Sequence, residues 1–456
     1  MLPRGLPLGL LLGLLLGVAG LAAAPCRLEI VERGSGWPVP GVELRTVHGE
    51  RLVSDNAGLI AFDLPELMGR ETWAEVRGHG YGVKKDGFGY AGVRFIPRPD
   101  ATVRLEVERT QAARRLGRLT GAGLFAESQK LGEALDWTES GVLGCDSVVT
   151  ARFEGKQFWF WGDTNLARYP LGIFNVAAAT TKDFSPPARP PLKVRFDYFR
   201  DGAGAPRGVA DVPGDGPTWV WGAATLPDAQ GREHLVAAAV KVRGNMEAYR
   251  WDLVEWDVAT AKFRPLLTFW RKSSDQPKPA QAPDGHALKW TDEAGKAWLL
   301  FCNPFPTLRC PATYEAWKDP ATWESLTPDR AVSTTEGKRV EAHGGDLAWH
   351  PWSRRWLLLF TQKGGASSYL GEIWLASAPS PTGPWTEARQ VATHDQYTFY
   401  NPVLHAEAFR ADSPLVTFEG TYVTTFSGNR QPTPRWDYNQ VLYQVDLSAA
   451  PFVPRK

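Results

Sequence analysis

The chain has 456 residues, with 51 Lys and Arg against 50 Asp and Glu and a formal charge of +1 at pH 7. Such balance argues against nucleic acid as a partner, and the length predicts two to three domains. The 20 Trp residues are many for this length; large cores absorb Trp, but exposed Trp also stacks on sugar rings, so the excess points weakly to carbohydrate.

Residues 1–24 read as a secretory signal peptide. A basic start ends at Arg4, an apolar run follows from Leu6 to Leu21, and Ala22-Ala23-Ala24 offers a cleavage site. A membrane anchor competes, because the run is near the lower limit for a span. The Ala triplet and the lack of a basic flank favour cleavage, so no stable membrane span is expected afterwards. The expected location is secreted, periplasmic or at the cell envelope. Cys26 follows Pro25, where a lipidation signal needs a small residue, so lipidation is not expected.

Residues 25–109 predict a small β domain. Pro38-Val39-Pro40-Gly41-Val42-Glu43-Leu44 is followed by Ser54-Asp55-Asn56-Ala57-Gly58-Leu59-Ile60-Ala61-Phe62, a strand, a polar Gly turn and another strand. Residues 110–124 predict a linker: Thr110 to Leu119 reads as a short basic helix or connector, and Thr120-Gly121-Ala122-Gly123 breaks it.

Residues 125–456 repeat one plan five times: an apolar strand, a turn, a very aromatic strand and a third strand. Phe158-Trp159-Phe160-Trp161, Trp298-Leu299-Leu300-Phe301 and Trp356-Leu357-Leu358-Leu359-Phe360 mark three copies, and His234 to Val240 and Pro414 to Phe418 are weaker ones. The anchors Asp146, Trp219, Ala287, Asp346 and Val403 are spaced roughly 57 to 73 residues apart. The expected fold is all-β, a five-bladed β-propeller preceded by a small β-sandwich; a two-sheet sandwich with long loops is the alternative. Since all five repeats lie beyond Gly121, that part is expected to fold without the N-terminal domain. The segment Asp437-Tyr438-Asn439-Gln440 and the strand after it are expected to close the ring.

In a propeller, residues that open first strands and residues that close second strands meet at one mouth of the central channel. In blade one these are Asp146 and Asp163, the latter in Gly162-Asp163-Thr164. Blade three gives His286 and Asn303. Blade four gives Asp346, in His343-Gly344-Gly345-Asp346, with Gln362. Blade five gives Tyr400-Asn401 and Glu419. Paired carboxylates are what glycoside hydrolysis needs, one protonated to help the leaving oxygen depart and the other ionised as base or nucleophile. The competing reading has each Asp capping a turn. His350 and His405 are isolated and read as hydrogen-bonded structure. Cys302 and Cys310 bracket seven residues and are expected to form a disulfide, with Cys26 and Cys145 left over. With neither CxxC nor HExxH, no metal or cofactor is expected.

Two resemblances follow from these motifs. Residues 38–62 resemble the carboxypeptidase regulatory-like, prealbumin-type β-sandwich, with Ser54 in place of that family's Thr. The blade-one pattern Gly144-Cys145-Asp146, with the aromatic strand ending in Gly162-Asp163-Thr164, is similar to the five-bladed propeller glycoside hydrolases. These include arabinanases, arabinofuranosidases and β-xylosidases, and the Gly-Asp-Thr ending is nearest the endo-D-arabinanase-type branch. Blade four adds Thr382-Gly383-Pro384-Trp385. The resemblance implies a poly- or oligosaccharide ligand and a base at Asp146, with Asp163 as second carboxylate. The family's acid is a Glu from a middle blade, for which Glu341, Asp346 and Glu419 are candidates. His343, Gln362, Asn303, Tyr400 and Asn401 are the candidate sugar-binding residues. The alternatives are a non-catalytic glycan-binding or envelope propeller, and a polysaccharide lyase using Tyr400 with Arg243 or Arg435.

Overall fold

A computed structural model describes residues 24–452 apart from 183, 187 and 188. The signal peptide expected over residues 1–24 therefore lies almost wholly outside the described residues.

Five antiparallel sheets follow one another around a ring. Blade I comprises Val148–Phe153, Lys156–Trp161, Ala177–Thr181 and Asp197–Tyr198, and blade II Thr218–Pro227, Glu233–Arg243, Glu247–Asp257 and Lys262–Arg271. Blade III comprises His286–Thr291, Ala297–Cys302, Pro306–Pro311 and Glu324–Ser325. Blade IV runs from Ala342–His350 through Arg355–Gln362 and Ile373–Ala378 to Trp385–Ala392, with Val332–Thr334 added in parallel outside it. Blade V contains Thr398–Leu404, Leu415–Val423 and Asn439–Asp446. The five first strands touch in cyclic order, and Thr398–Leu404 returns to Val148–Phe153, so the ring is closed. The fold is the all-β propeller expected.

Strand periodicity explains the aromatic marks. Successive side chains point to opposite faces, and a middle strand of a blade is covered on both. Phe158 and Phe160 pack with Val220, Leu235 and Trp256 of blade II. Trp159 and Trp161 turn the other way, against Leu442 and Val403 of blade V. In the same manner Leu358 and Phe360 face blade III, and Leu357 and Leu359 face blade V.

The closing element corrects two expectations. Arg114–Arg118 is neither helix nor linker; it is a strand. It pairs antiparallel with Asn439–Asp446 as the outer strand of blade V. The C-terminal segment thus supplies the third strand, and a strand from before the first blade seals the ring. Leu116 and Leu119 enter the core shared by blades I and V.

Residues before this strand form two four-stranded sheets. Cys26–Glu32 sits between Leu59–Phe62 and Thr102–Arg109, the latter in parallel, and Glu43–Thr46 sits between Arg51–Val53 and Thr72–Arg77. Leu28, Ile30, Val42, Leu44, Ile60, Phe62, Val76 and Val107 fill the space between the sheets, making a small sandwich.

The sandwich holds the closing strand directly. Asn56 accepts from the Arg118 amide at 2.9 Å and donates to its carbonyl at 2.8 Å. The buried Arg115 guanidinium donates to the carbonyls of Pro40, His79 and Gly41. His79 Nε2 donates to the Asp395 carbonyl at 3.1 Å, and the ring packs against His394, Tyr397 and Tyr422. His394 is fully buried between the Gly371 carbonyl and the Tyr443 hydroxyl, both at 2.9 Å. Burial pushes the His394 pKa down to about 3 and holds His79 well below the ordinary value, with the His394 and Arg115 charges adding to the latter.

The unfolded chain binds these protons near pH 6.5 and the folded chain does not. Their contribution to stability is therefore complete above about pH 6.5 and is lost as pH falls towards 3. A His394→Gln variant removes one such group. The stability difference between wild type and this variant is expected to shrink by up to a few kcal/mol as pH drops from about 6.5 to about 4. Denaturant melts at several pH values measure it; a difference independent of pH would refute the assignment.

The expected Cys302–Cys310 disulfide is absent: all four cysteines are free and buried. Cys302 ends the second strand of blade III opposite Pro306, whereas Cys310 pairs with Leu299, so the two thiols sit at different rungs of one hairpin. Cys302 donates weakly to the His286 carbonyl at 3.6 Å. Burial raises the pKa of both thiols, Cys310 to about 12, which keeps them unreactive in the native state. Alkylation in denaturant without reductant is expected to label all four thiols by mass; two labels would restore the disulfide.

Candidate active site

Blade I delivers two carboxylates to one mouth of the channel. Asp146 lies two residues before its first strand, and Asp163 two residues after its second. The strand ends meet there: the Asp146 amide donates to the Asp163 carbonyl at 3.3 Å, and the Gly162 amide to the Asp146 carbonyl at 2.9 Å. A Cβ at Gly162 would come within 2.2 Å of Asp146 Oδ1, so a side chain there would displace the carboxylate.

Blade V supplies the partners of this pair. Tyr400 donates its hydroxyl to Asp146 Oδ2 at 2.7 Å. Asn401 donates to Ser147 Oγ at 2.7 Å, and Tyr438 to the Asp163 carbonyl at 3.2 Å. Burial raises the Asp146 pKa to about 7; Tyr400 opposes the rise and the charge of Asp163 adds to it. Asp163 is also raised by burial, against a hydrogen bond from the Trp219 indole. Its Oδ1 is buried without a partner among the described residues. Near neutral pH, Asp146 thus exchanges a proton readily beside a second carboxyl group.

A cavity of about 190 Å³ opens over Asp146. Trp219, Trp221 and Met246 of blade II, Tyr400 and Asn401 of blade V, and the exposed Phe426 line it. An acid–base group thus stands at the floor of an aromatic pocket, an arrangement suited to a sugar ring whose C–H face stacks while its oxygens meet polar groups.

The remaining candidates divide by position. Asn303 is at the mouth, where its Oδ1 accepts from the Gly345 amide at 3.2 Å. A Cβ at Gly344 would lie 3.2 Å from Asn303 and 3.5 Å from Asn401, so blades III, IV and V converge there. Glu341 and His343 lie at the opening of blade IV; Glu341 is exposed and paired with Lys363 at 3.1 Å. The His343 pKa is lowered by desolvation and by Lys363.

Like Asn303, Glu341 and His343, three further candidates do not line the Asp146 pocket. Gln362 accepts from the Trp374 indole at 2.8 Å. Asp346 is 6 % exposed and accepts from the Leu347 and Leu404 amides at 2.7 and 2.9 Å, which ties blade IV to blade V. Glu419 is fully buried beside His405 Nε2 at 2.9 Å, and His405 Nδ1 meets Glu407, also at 2.9 Å. Burial opposes charge on His405, yet Glu407 and Glu419 raise its pKa to about 10. Asp346 and Glu419 lie at the middle of their strands, Ala342–His350 and Leu415–Val423, and not at the ends that the opening rule assumed; a register shift separates each from the mouth, between Ala342 and Gly345 and between Tyr400 and Val403.

The opening rule also passed over Asp284. It lies two residues before the first strand of blade III, the offset of Asp146 in blade I, whereas the rule selected His286. Burial raises its pKa, and the Gly285 amide and Asn303 oppose the rise. The signal was present in Asp284-Gly285, which stands at the offset of Asp146-Ser147. His350 is structural, meeting Ser353 and the Leu415 carbonyl. A lyase base at Tyr400 does not fit, since burial and the Asp146 charge hold its phenol far above its ordinary pKa. Arg435 is committed to Glu127 at 2.7 Å, and Arg243 lies near Glu247 at 3.7 Å.

No family model and no curated protein matches the chain. Among solved structures, an exo-β-1,3-galactanase from Phanerochaete chrysosporium is 12% identical, covering 67% of this chain and 61% of that one, with a TM-score of 0.38. The chain thus spans less than two thirds of that galactanase. An exo-1,5-α-L-arabinanase from a bovine ruminal metagenomic library is 12% identical over 67% of this chain and 94% of that one, with a TM-score of 0.37. A GH43_1 enzyme from Xanthomonas citri, complexed with xylose, is 11% identical over 66% and 86%, also with a TM-score of 0.37.

Proposed function

We propose that this chain is a glycoside hydrolase acting on a poly- or oligosaccharide at the blade-I mouth. The observation that carries the reading is Asp146: a carboxyl group raised to about 7, hydrogen-bonded to Tyr400, next to Asp163 and facing an aromatic cavity. Hydrolysis requires a proton on the departing glycosidic oxygen and a water-derived hydroxyl on the anomeric carbon. Asp146 and Asp163 supply the two carboxyl groups, one to give the proton and the other to act as base or nucleophile. Asp284 and Glu341, at the openings of blades III and IV, are the further carboxyl groups on the same face. Asn303 and Asn401 offer amides to sugar hydroxyls. The Gly162-Asp163-Thr164 ending favours a furanosidase of the endo-D-arabinanase type.

The N-terminal sandwich is read as a carboxypeptidase regulatory-like accessory unit that clamps the closing strand. The leader read from residues 1–24 supports a mature protein that is secreted, periplasmic or at the cell envelope. The second reading is a non-catalytic glycan-binding propeller, favoured by the same Trp219, Trp221 and Phe426 lining. Incubation with a panel of plant and bacterial polysaccharides, followed by reducing-end measurement and a parallel binding assay, separates the two. New reducing ends support the hydrolase; binding without them supports the second reading.

A further inference from the structure

A second cavity, of about 240 Å³, lies where the sandwich, the closing strand and the loop before Tyr438 meet. Arg51, Arg118, Lys130 and Arg435 line it, together with Asp55 and Glu127. Three of these cations have counter-charges. Arg51 is held by Glu43 at 2.6 Å, and Glu127 serves both Lys130 (3.1 Å) and Arg435 (2.7 Å). Asp55 is occupied by the amides of Ala57, Leu59 and Ser128 and by the Ser128 hydroxyl.

Arg118 is left over. It is 2 % exposed, and among the described residues it has no carboxylate within ion-pair distance. One nitrogen donates to the Ala122 carbonyl at 2.8 Å, while Nε and Nη1 are buried without partners among the described residues. Its guanidinium lies 5.7 Å from the Trp436 ring centre. A buried, unpaired guanidinium with idle donors is costly, because the desolvation penalty is not offset. Burial and the nearby Arg435 charge depress even this guanidinium to a pKa of about 9. Arg118 itself lines this space, which is large enough for a small polyatomic anion and water.

We propose that this cavity binds a small oxyanion, a phosphate, sulfate or carboxylate, on Arg118. Such an anion supplies the missing counter-charge to the guanidinium from the side on which Arg118 lines the cavity. The residues around it come from the sandwich, the closing strand and the Arg435 loop, so the anion also fastens these three together. That loop continues to Tyr438, which holds Asp163.

The test uses the full mature chain. Thermal melts are recorded in sodium phosphate, sulfate or acetate against chloride at equal ionic strength and pH. Mass action predicts a melting temperature that climbs with the logarithm of oxyanion concentration above its dissociation constant. A response to phosphate and sulfate alone assigns a tetrahedral anion, and a response to acetate assigns a carboxylate. Arg118→Met is expected to abolish the increment while leaving the chloride melt close to wild type. Calorimetric titration of phosphate, sulfate and acetate into the wild-type protein gives a reading independent of that variant's folding, with one site per chain expected. Oxyanions indistinguishable from chloride in both measurements would overturn the proposal, as would an undiminished increment in a folded Arg118→Met protein. Neither measurement involves glycan turnover, so its outcome is separate from that of the hydrolase reading.

Discussion

A chain shortened to begin at Gly121 is expected to lose its cooperative unfolding transition, although every first, second and third strand of the ring is retained. The cut removes Arg114–Arg118, and Asn439–Asp446 then becomes a bare edge. It also removes Leu116 and Leu119 from the core between blades I and V, where they are almost wholly buried. Burial of a Leu contributes roughly 1.5–3 kcal/mol, and each net backbone hydrogen bond about 1 kcal/mol. The sum approaches the roughly 5–15 kcal/mol that holds a typical domain folded. An open edge in a sheet also invites association with another chain. A chain beginning at Thr110 keeps the strand and loses only its anchors, the Asn56 pairing and the carbonyl partners of Arg115. It is expected to melt cooperatively at a lower temperature. Equal, sharp transitions for the two fragments would show that the closing strand is dispensable.

Asp146→Asn is expected to abolish most glycan turnover while leaving the fold intact. Asn preserves the shape and can still meet Tyr400, but it neither gives nor takes a proton. Loss of a general acid or base usually costs roughly a hundredfold to ten-thousandfold in rate, and loss of a nucleophile more. Stability gives an independent sign. The folded Asp146 pKa, about 7, lies above the ordinary value of 3.8, so the folded state holds the proton more tightly. Its contribution is full below about pH 4 and is lost as pH rises through about 7. Above that pH the buried carboxylate opposes folding, and the Asn variant is expected to melt at or above wild type at pH 8, the gain bounded by about 4 kcal/mol. A turn-capping role predicts the reverse, a stability loss of about 1 kcal/mol with turnover unchanged. The pH–rate profile of the wild type assigns the role. A limb near pH 7 that falls on the alkaline side marks Asp146 as acid, and one that falls on the acid side marks it as base. Full turnover in the Asn variant would remove Asp146 from the chemistry.

The propeller was legible because its signal is local. Phe158 to Trp161 and Trp356 to Phe360 are apolar on both faces of one short strand, which only a covered middle strand tolerates, and the plan recurs. Asp146 and Asp163 were legible for a related reason: each lies at a chain turn whose position follows from the strand beside it. What the sequence could not supply is what depends on register and on distant partners. One-residue shifts separate Asp346 and Glu419, both mid-strand, from the mouth in blades IV and V, and Asp284, not His286, stands two residues before the first strand of blade III. Cys302 and Cys310 are close along the chain yet stand at different rungs of a hairpin. Arg114–Arg118 carries a basic pattern with no strand signal of its own; it is a strand because the last blade lacks an outer partner and the sandwich holds it in place. Local side-chain pattern sets which segments become strands, whereas their pairing, and hence which carboxylates meet, is decided by contacts between residues hundreds of positions apart.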